Sequence, residues 1–309
     1  MLVRLLLMAV CFVGSIGGAQ AWAEQAQTAG TITDAFLAKN GQAEAVIVVG
    51  TESGPFYQWV AEEIQRYLKR LTVAEFPIVT SDEVPAEKTL IVLGGPQVNP
   101  LSATAQQHQL VNFSGLKPEG FVLKAIELEG RQALVAGGND ETGTMYAAYE
   151  LLERLGVVFQ MTNDIIPQRI PDLALSALDV RMEPVLKYRG LCYPHALRWY
   201  TSLEDFRKHI DQMAKLKINV LKWCWGMGGP WCKFSYDGKV AELFRTKESS
   251  YLAWGKSWHS TTGSKKDIRV GRACFPHEYL GAPEFADVQT EEDTYRIARD
   301  FLREIIRYA

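Results

Sequence analysis

Arg189, Cys192, Tyr193 and His195 stand close together in YRGLCYPH, a run whose apolar centre has the length of a short strand. On the first strand of a (β/α) barrel such residues are delivered toward the carboxyl end, where barrel chemistry takes place. Arg189 is the sharpest of them. Its guanidinium can donate a fork of hydrogen bonds to two adjacent hydroxyls or to a carboxylate, a match Lys cannot reproduce. Its bland alternative is a structural ion pair in the barrel mouth. His195 has the chemistry to hydrogen-bond a substrate hydroxyl, or to be polar surface. Trp223 and Trp225 lie on INVLKWCW, where a strand side chain faces either the barrel interior or the covering helices. Beyond them Trp231, Phe234, Tyr236, Tyr251, Trp254 and Trp258 offer either stacking faces for a saturated ring or the small core of an insertion.

Carboxylates are tested against the demand of glycosidic hydrolysis, which needs two of them across the scissile bond. Glu204 and Asp205 fall in the first turn of a predicted helix, where the backbone dipole favours negative charge and capping explains them. Glu278, Glu284 and Asp287 lie in a long irregular segment and not at a strand end, so none reads as a catalytic acid. No H-E-x-x-H or G-x-S-x-G occurs, and the cysteine spacing is not a metal signature; no metal or cofactor is implied. The loop GGNDETGT precedes a helix but has neither the P-loop spacing nor G-x-G-x-x-G, so it does not read as a phosphate cradle.

These residues need a frame. AEAVIVVG (43–50) and TLIVLGG (89–95) suit buried strands, and FVLKAIELEG with RQALVAGG suits a hairpin turning at Glu129-Gly130. Between the first two, Phe56, Trp59, Val60, Ile64, Tyr67, Leu68 and Leu71 are expected on one helix face. A closing helix follows, with Asn139 or Asp140 as its cap, Met145, Tyr149, Leu152 and Leu155 on one side and Gly156 as its stop. Together they make an α/β domain over residues 43–164, after a polar leader that runs to about Gln42.

Residues 165–180 carry Pro167 and Pro171 with no helical period and are expected to be a linker or edge strand, the second domain running from 181 to 309. There Thr201-Ser202-Leu-Glu-Asp205 signals a capping box, followed by an apolar stripe of Leu203, Phe206, Ile210, Met213 and Ala214. INVLKWCW is the next strand. A long irregular stretch covers 226–289, and a last helix capped at Thr290 buries Tyr295, Ala298, Leu302, Ile305 and Ile306. A complete (β/α)₈ barrel needs eight strands and typically ~250 residues, so two βα units are expected to be an incomplete, truncated barrel.

With 309 residues, 47% hydrophobic and 22% charged, and a net charge of -3, the chain is globular and offers no basic field for nucleic acid. Arg4, an apolar run from Leu5 to Val13 and small residues ending at Ala23 fit the pattern of a secretory signal over residues 1–23. The run is shorter than the ~20 residues that cross a bilayer, so export to a periplasm or beyond is expected, without stable membrane insertion after cleavage. Cys192, Cys224, Cys232 and Cys274 would then meet an oxidising compartment, with a local Cys224–Cys232 bridge and isolated thiols both open.

The run RGLCYPHALRWYTSLEDFRKHIDQMAKLKINVLKWCW resembles the barrel opening of secreted glycoside hydrolases related to β-N-acetylhexosaminidases and α-glucuronidases. The preceding unit, closing on GGNDETGTMYAAYELLERLGVVF, resembles the small α/β domain ahead of the barrel in those enzymes. The resemblance implies a carbohydrate substrate, with Arg189 binding hydroxyls of the reacting sugar and His195, Trp225 and Trp231 as further substrate contacts. It also implies catalytic carboxylates on later strands. KWCWGMGGPW lacks the histidines and paired aspartates that come after the second strand in hexosaminidases, so the likeness extends to the architecture more than to one substrate. An alternative is a non-catalytic carbohydrate-binding or adhesion protein that uses the aromatic insertion 226–289.

Overall fold

The computed structural model describes residues 35–175, 177–193, 202–223, 233–236, 239–242, 284 and 291–309. The chain divides into two compact units, one of residues up to Val158 with Ile165–Val185, the other of Phe159–Asp164 with Leu186–Ala309.

The first unit opens on β1 (Phe36–Lys39), β2 (Gln42–Ala43) and β3 (Ala45–Val49), then α1 (Pro55–Thr72), β4 (Ile78–Thr80), β5 (Thr89–Leu93) and α2 (Pro100–Gln107). It continues with β6 (Phe121–Leu128), β7 (Arg131–Gly138) and α3 (Glu141–Arg154). The short β8 (Val158–Phe159) and β9 (Asp164–Ile165) form a two-stranded ribbon, and β10 (Leu173–Ala174) and β11 (Asp179–Met182) come next. Six strands make one sheet in the order β11-β6-β7-β5-β3-β4. β4, β3, β5 and β7 are parallel, while β6 is antiparallel to both β7 and β11.

AVIVV and TLIVL are continuous apolar runs because their strands are covered on both faces. Val46, Leu90 and Ala133 are in register and join Ala105 of α2, Val111 and Phe113 in one core. Ile47, Ile91 and Leu134 alternate with them on the other side, where α1 packs on β3 and α3 packs on β7. All three are fully buried, each worth roughly 1.5–3 kcal/mol of transfer free energy. The β6–β7 hairpin turns at Glu129 and Gly130, both at positive φ (52 and 75), as a two-residue turn matched to strand twist requires.

Several expectations are corrected. The polar leader holds β1, which turns into β2 through Asn40-Gly41, both again at positive φ (52 and 71), an Asn-Gly hairpin signal. Residues 165–180, expected as a linker or edge strand, hold β10, which pairs with β1, and the start of β11, an edge strand that pairs with β6 from Asp179 to Met182. α2 has no counterpart among the expected elements. On α1, Tyr57 is buried and Trp59 is 38% exposed. At about 100° per residue Trp59 lies about 140° from Ile64, the middle of the buried face, and Tyr57 only about 20° from it.

In the second unit β12 (Gly190–Tyr193), α4 (Leu203–Lys215) and β13 (Val220–Trp223) form a β-α-β unit with parallel strands, Gly190 opposite Val220 and Tyr193 opposite Trp223. The stretch 226–289 contains an antiparallel pair, β14 (Lys233–Tyr236) and β15 (Lys239–Glu242). α5 (Glu291–Tyr308) packs on α4 through an edge-to-face contact of Phe206 and Phe301, centroids 5.7 Å apart. Phe301 and Ile305 are buried, whereas Ile306, expected on that side, is 73% exposed. It stands about 140° round the helix from Phe301.

The passage between units is apolar yet open, with Val185 98%, Leu186 65% and Tyr188 70% exposed. Brief chymotrypsin treatment should cut after Leu186 or Tyr188 and leave a product ending there that still unfolds cooperatively. Early cuts inside the sheet strands, seen by mass spectrometry, would contradict this division.

Candidate functional site

Open parallel sheets bind ligands in the crevice beyond the carboxyl ends of their strands. In the first unit that crevice is filled by main chain. A Cβ on Gly50, just after β3, would stand 1.7 Å from the Val98 carbonyl oxygen, and one on Gly95, after β5, 2.3 Å from that of Gly138. Asn99, wholly buried, caps α2 through Oδ1, which accepts the Leu101 N–H at 3.1 Å. Its Nδ2 donates to the carbonyls of Val48 (3.1 Å) and Leu93 (2.8 Å), joining the ends of β3 and β5. Ser102 Oγ donates to the Gly94 carbonyl at 2.7 Å.

The GGNDETGT loop closes on itself in the same way. Asp140 caps α3, its Oδ1 accepting the Gly143 N–H at 2.7 Å and its Oδ2 the Glu119 N–H at 2.8 Å. Thr144 Oγ1 accepts the Gly138 N–H at 3.0 Å and donates to the Asp140 carbonyl at 3.2 Å. Burial pushes the Tyr57 phenol up, the charges of Glu141 and Asp140 add to this, and a hydrogen bond with Thr144 works the other way. The phenol therefore stays protonated.

In the second unit the capping box is formed: Asp205 N–H donates to Ser202 Oγ at 3.1 Å and Ser202 N–H to Asp205 Oδ2 at 3.1 Å. Glu284 Oε1 accepts the Leu203 N–H at 2.9 Å, satisfying another donor of the same helix end. Arg189 lies one residue ahead of β12. Its Nε donates to the Lys217 carbonyl at 2.6 Å and its Nη1 to that of Leu186 at 2.8 Å. His195, Trp225 and Trp231 lie outside the described residues, as do Cys224, Cys232, Cys274, Glu278 and Asp287. Among the described residues no group of three or more His, Cys, Asp or Glu is placed to hold a metal.

A polar cluster on α4 carries no sequence signal. Lys215 Nζ donates to Asp164 Oδ2 at 3.0 Å and to Gln212 Oε1 at 2.5 Å, and Gln212 Nε2 donates to Asp164 Oδ1 at 2.8 Å and to the Gln160 carbonyl at 2.5 Å. Lys215 and Asp164 side chains are only 7% and 11% exposed. They wall a cavity of about 330 Å³ that also touches Asn163, Asp205 and His209. Burial holds His209 below the usual imidazole range, so its neutral form is favoured in the fold and stability falls as pH drops below about 6.5. In sequence a Lys in a last helical turn reads as a solvated complement to the helix dipole, which is why nothing marked this one.

An α/β unit of this kind is found in glycoside hydrolases. Residues 31–151 match the family model described as Glycosyl hydrolase family 67 N-terminus. The β-hexosaminidase of Porphyromonas gingivalis is 30% identical over 109 residues, 35% of this chain and 13% of that protein. The chain thus spans about an eighth of this curated relative. Among solved structures, a family GH115 4-O-methyl-α-glucuronidase is 17% identical with a TM-score of 0.45, over 62% of this chain and 26% of that one. The GH20 β-N-acetylhexosaminidase of Streptomyces coelicolor is 13% identical with a TM-score of 0.35, over 60% and 31%. The chain resembles glycoside hydrolases, through residues 31–151 and through its likeness to a β-hexosaminidase, and its fold is α/β.

Two consequences are measurable by urea unfolding. Gly50→Ala should cost about 3 kcal/mol or more, since backbone must move, while Gly54→Ala, with open space at its Cβ, should change stability by no more than about 0.5 kcal/mol. Equal effects would refute the close approach. Asp164→Ala, which strands a buried ammonium, and Lys215→Met, which strands a buried carboxylate, should each cost about 3–5 kcal/mol, whereas replacing both by apolar residues of similar size should cost less than either single change. Additive costs in the double variant would show that the pair is not buried as a unit.

Proposed function

We propose that this chain supplies the α/β domain and the first βα units of a (β/α) barrel to an exported glycoside hydrolase that cleaves O-glycosidic bonds of polysaccharides or glycans. The observation that carries the reading is the match of residues 31–151 to a glycoside hydrolase N-terminal domain, followed in the chain by the parallel β-α-β unit at 190–223. The names of its relatives, a β-hexosaminidase and an α-glucuronidase, support a carbohydrate as the partner.

Within this reading the chemistry needs one carboxylic acid to protonate the leaving oxygen and a second group on the opposite face of the sugar. Asp205 and Glu284 are committed to the amino end of α4, and Asp164 to Lys215 and Gln212. None of these is poised across a substrate from another, so the reacting acids belong to other segments of the enzyme. Residues 1–23 would direct export, consistent with the sequence pattern there. No helix among the described residues is long and apolar enough to cross a membrane.

The purified chain, incubated with aryl N-acetyl-β-glucosaminide and aryl α-glucuronide, should release phenol at the uncatalysed rate, against the ~1–1000 s⁻¹ turnover of working enzymes. Hydrolysis abolished by Glu284→Gln would overturn the assignment of the acids to other segments. Retention on polysaccharide gels without hydrolysis, lost on Trp231→Ala, would favour a binding protein instead.

A further inference from the structure

The carboxyl edge of the parallel strands is closed, but their amino edge is open. Ala45 of β3 stands opposite Thr89 of β5, and Leu90 opposite Ala133 of β7, so Glu44, Lys88 and Arg131 come level, one step ahead of a shared register row. They line a pocket of about 430 Å³ whose wall also includes Phe36 and Lys39 of β1 and Glu87. That volume falls within the usual range of small-ligand sites, roughly 300–1,000 Å³. At the rim, no atom lies within 4 Å of the place a Cβ on Gly130 would take.

The basic groups are anchored to main chain and are not neutralised one for one. Lys88 Nζ donates to the Ala43 carbonyl at 2.8 Å and reaches Glu44 Oε2 at 3.5 Å. Arg131 Nη1 donates to the Pro85 carbonyl at 3.2 Å, which ties the guanidinium to the loop before β5 and leaves Nε and Nη2 for a partner. Lys39 Nζ lies 5.1 Å from the centroid of the Phe36 ring, a cation–π contact that keeps it at the pocket wall. Three cations thus share the pocket with two carboxylates, Glu44 and Glu87, and Glu44 is already drawn to Lys88.

We propose that this pocket binds a sugar acid, a polyol carrying one carboxylate. Its single negative charge matches the one positive charge in excess. A phosphate dianion would bring more charge than the excess and be repelled by Glu44 and Glu87, and a neutral sugar would leave the guanidinium unused. The Nε and Nη2 edge of Arg131 is the planar fork that a carboxylate meets with two parallel bonds. Glu87 and Gln132 can accept from ring hydroxyls, and the Phe36 ring offers an apolar face to the C–H side of the sugar. Every one of these residues belongs to the first unit, and the inference goes beyond the hydrolase reading without resting on it.

The test is NMR titration of the full chain at constant ionic strength, with glucuronate as the probe and glucose, acetate and inorganic phosphate as comparators. Glucuronate should shift the Thr89, Gly130 and Gln132 amides saturably and bind at least about tenfold more tightly than any comparator. Arg131→Gln and Arg131→Lys should each weaken it about tenfold, since Lys cannot supply the fork. Lys39→Gln, at an exposed position, should weaken it about threefold, with amides away from the pocket unmoved in all three variants. No response to glucuronate, an equal response to glucose or acetate, tighter binding of phosphate, or an affinity indifferent to Arg131→Gln would each overturn the site.

Discussion

The approach of backbone to backbone at the carboxyl edge of the parallel strands is the constraint on which the first unit is built. Gly50 lies against the Val98 carbonyl and Gly95 against that of Gly138, and any side chain there would have to displace main chain. Contact at this range lets one side chain, Asn99, reach the carbonyl ends of both β3 and β5 while capping α2. The strands then share one register edge, and α2 starts where the core residue Ala105 needs it. The same closure removes the crevice in which such sheets hold ligands.

How far sequence reaches this architecture depends on the physical signal each element emits. β3, β5 and the β6–β7 hairpin are apolar runs bounded by turn residues, and Asp140 and Ser202 are short acceptors ahead of amphipathic periods; all are legible. α2 is a single short helix of PLSATAQQ with little periodic contrast, so only its Asn-Pro start marks it. β11 is an edge strand, DVRM, whose four residues are half-buried or exposed and carry no alternation, so sequence leaves the stretch open between linker and edge strand. Trp59 and Ile306 show a different failure, in which hydrophobic character stands in for angular position. Tyr57 and Phe301 hold the buried places expected of those two residues.

The candidate site is less legible than the fold because its polar groups have two possible destinies that look alike in sequence. Lys215, Gln212 and Asp164 have the composition of a wet surface and are nevertheless enclosed, each bonded to another. Their burial gives α4 two packed sides, with Phe206 against Phe301 on one and the charged cluster on another. Charges removed from water tolerate little freedom of geometry, so such a cluster orients a helix more strictly than apolar contact does, though with little net gain in stability.

A carboxylate near a helix start is drawn to the helix before it is available to a substrate. Orphan N–H groups and the dipole stabilise its ionised form, by typically 0.3–1 kcal/mol at exposed sites and more where water is excluded. A general acid needs the reverse, surroundings that keep its proton on until the leaving oxygen takes it. Asp205, bonded to the Ser202 N–H and hydroxyl, and Glu284, bonded to the Leu203 N–H, both spend an oxygen on the amino end of α4. The bonds that make these two carboxylates good caps fix them to main chain, and the amino end of α4 is thereby closed by acceptors supplied from its own turn and from Glu284.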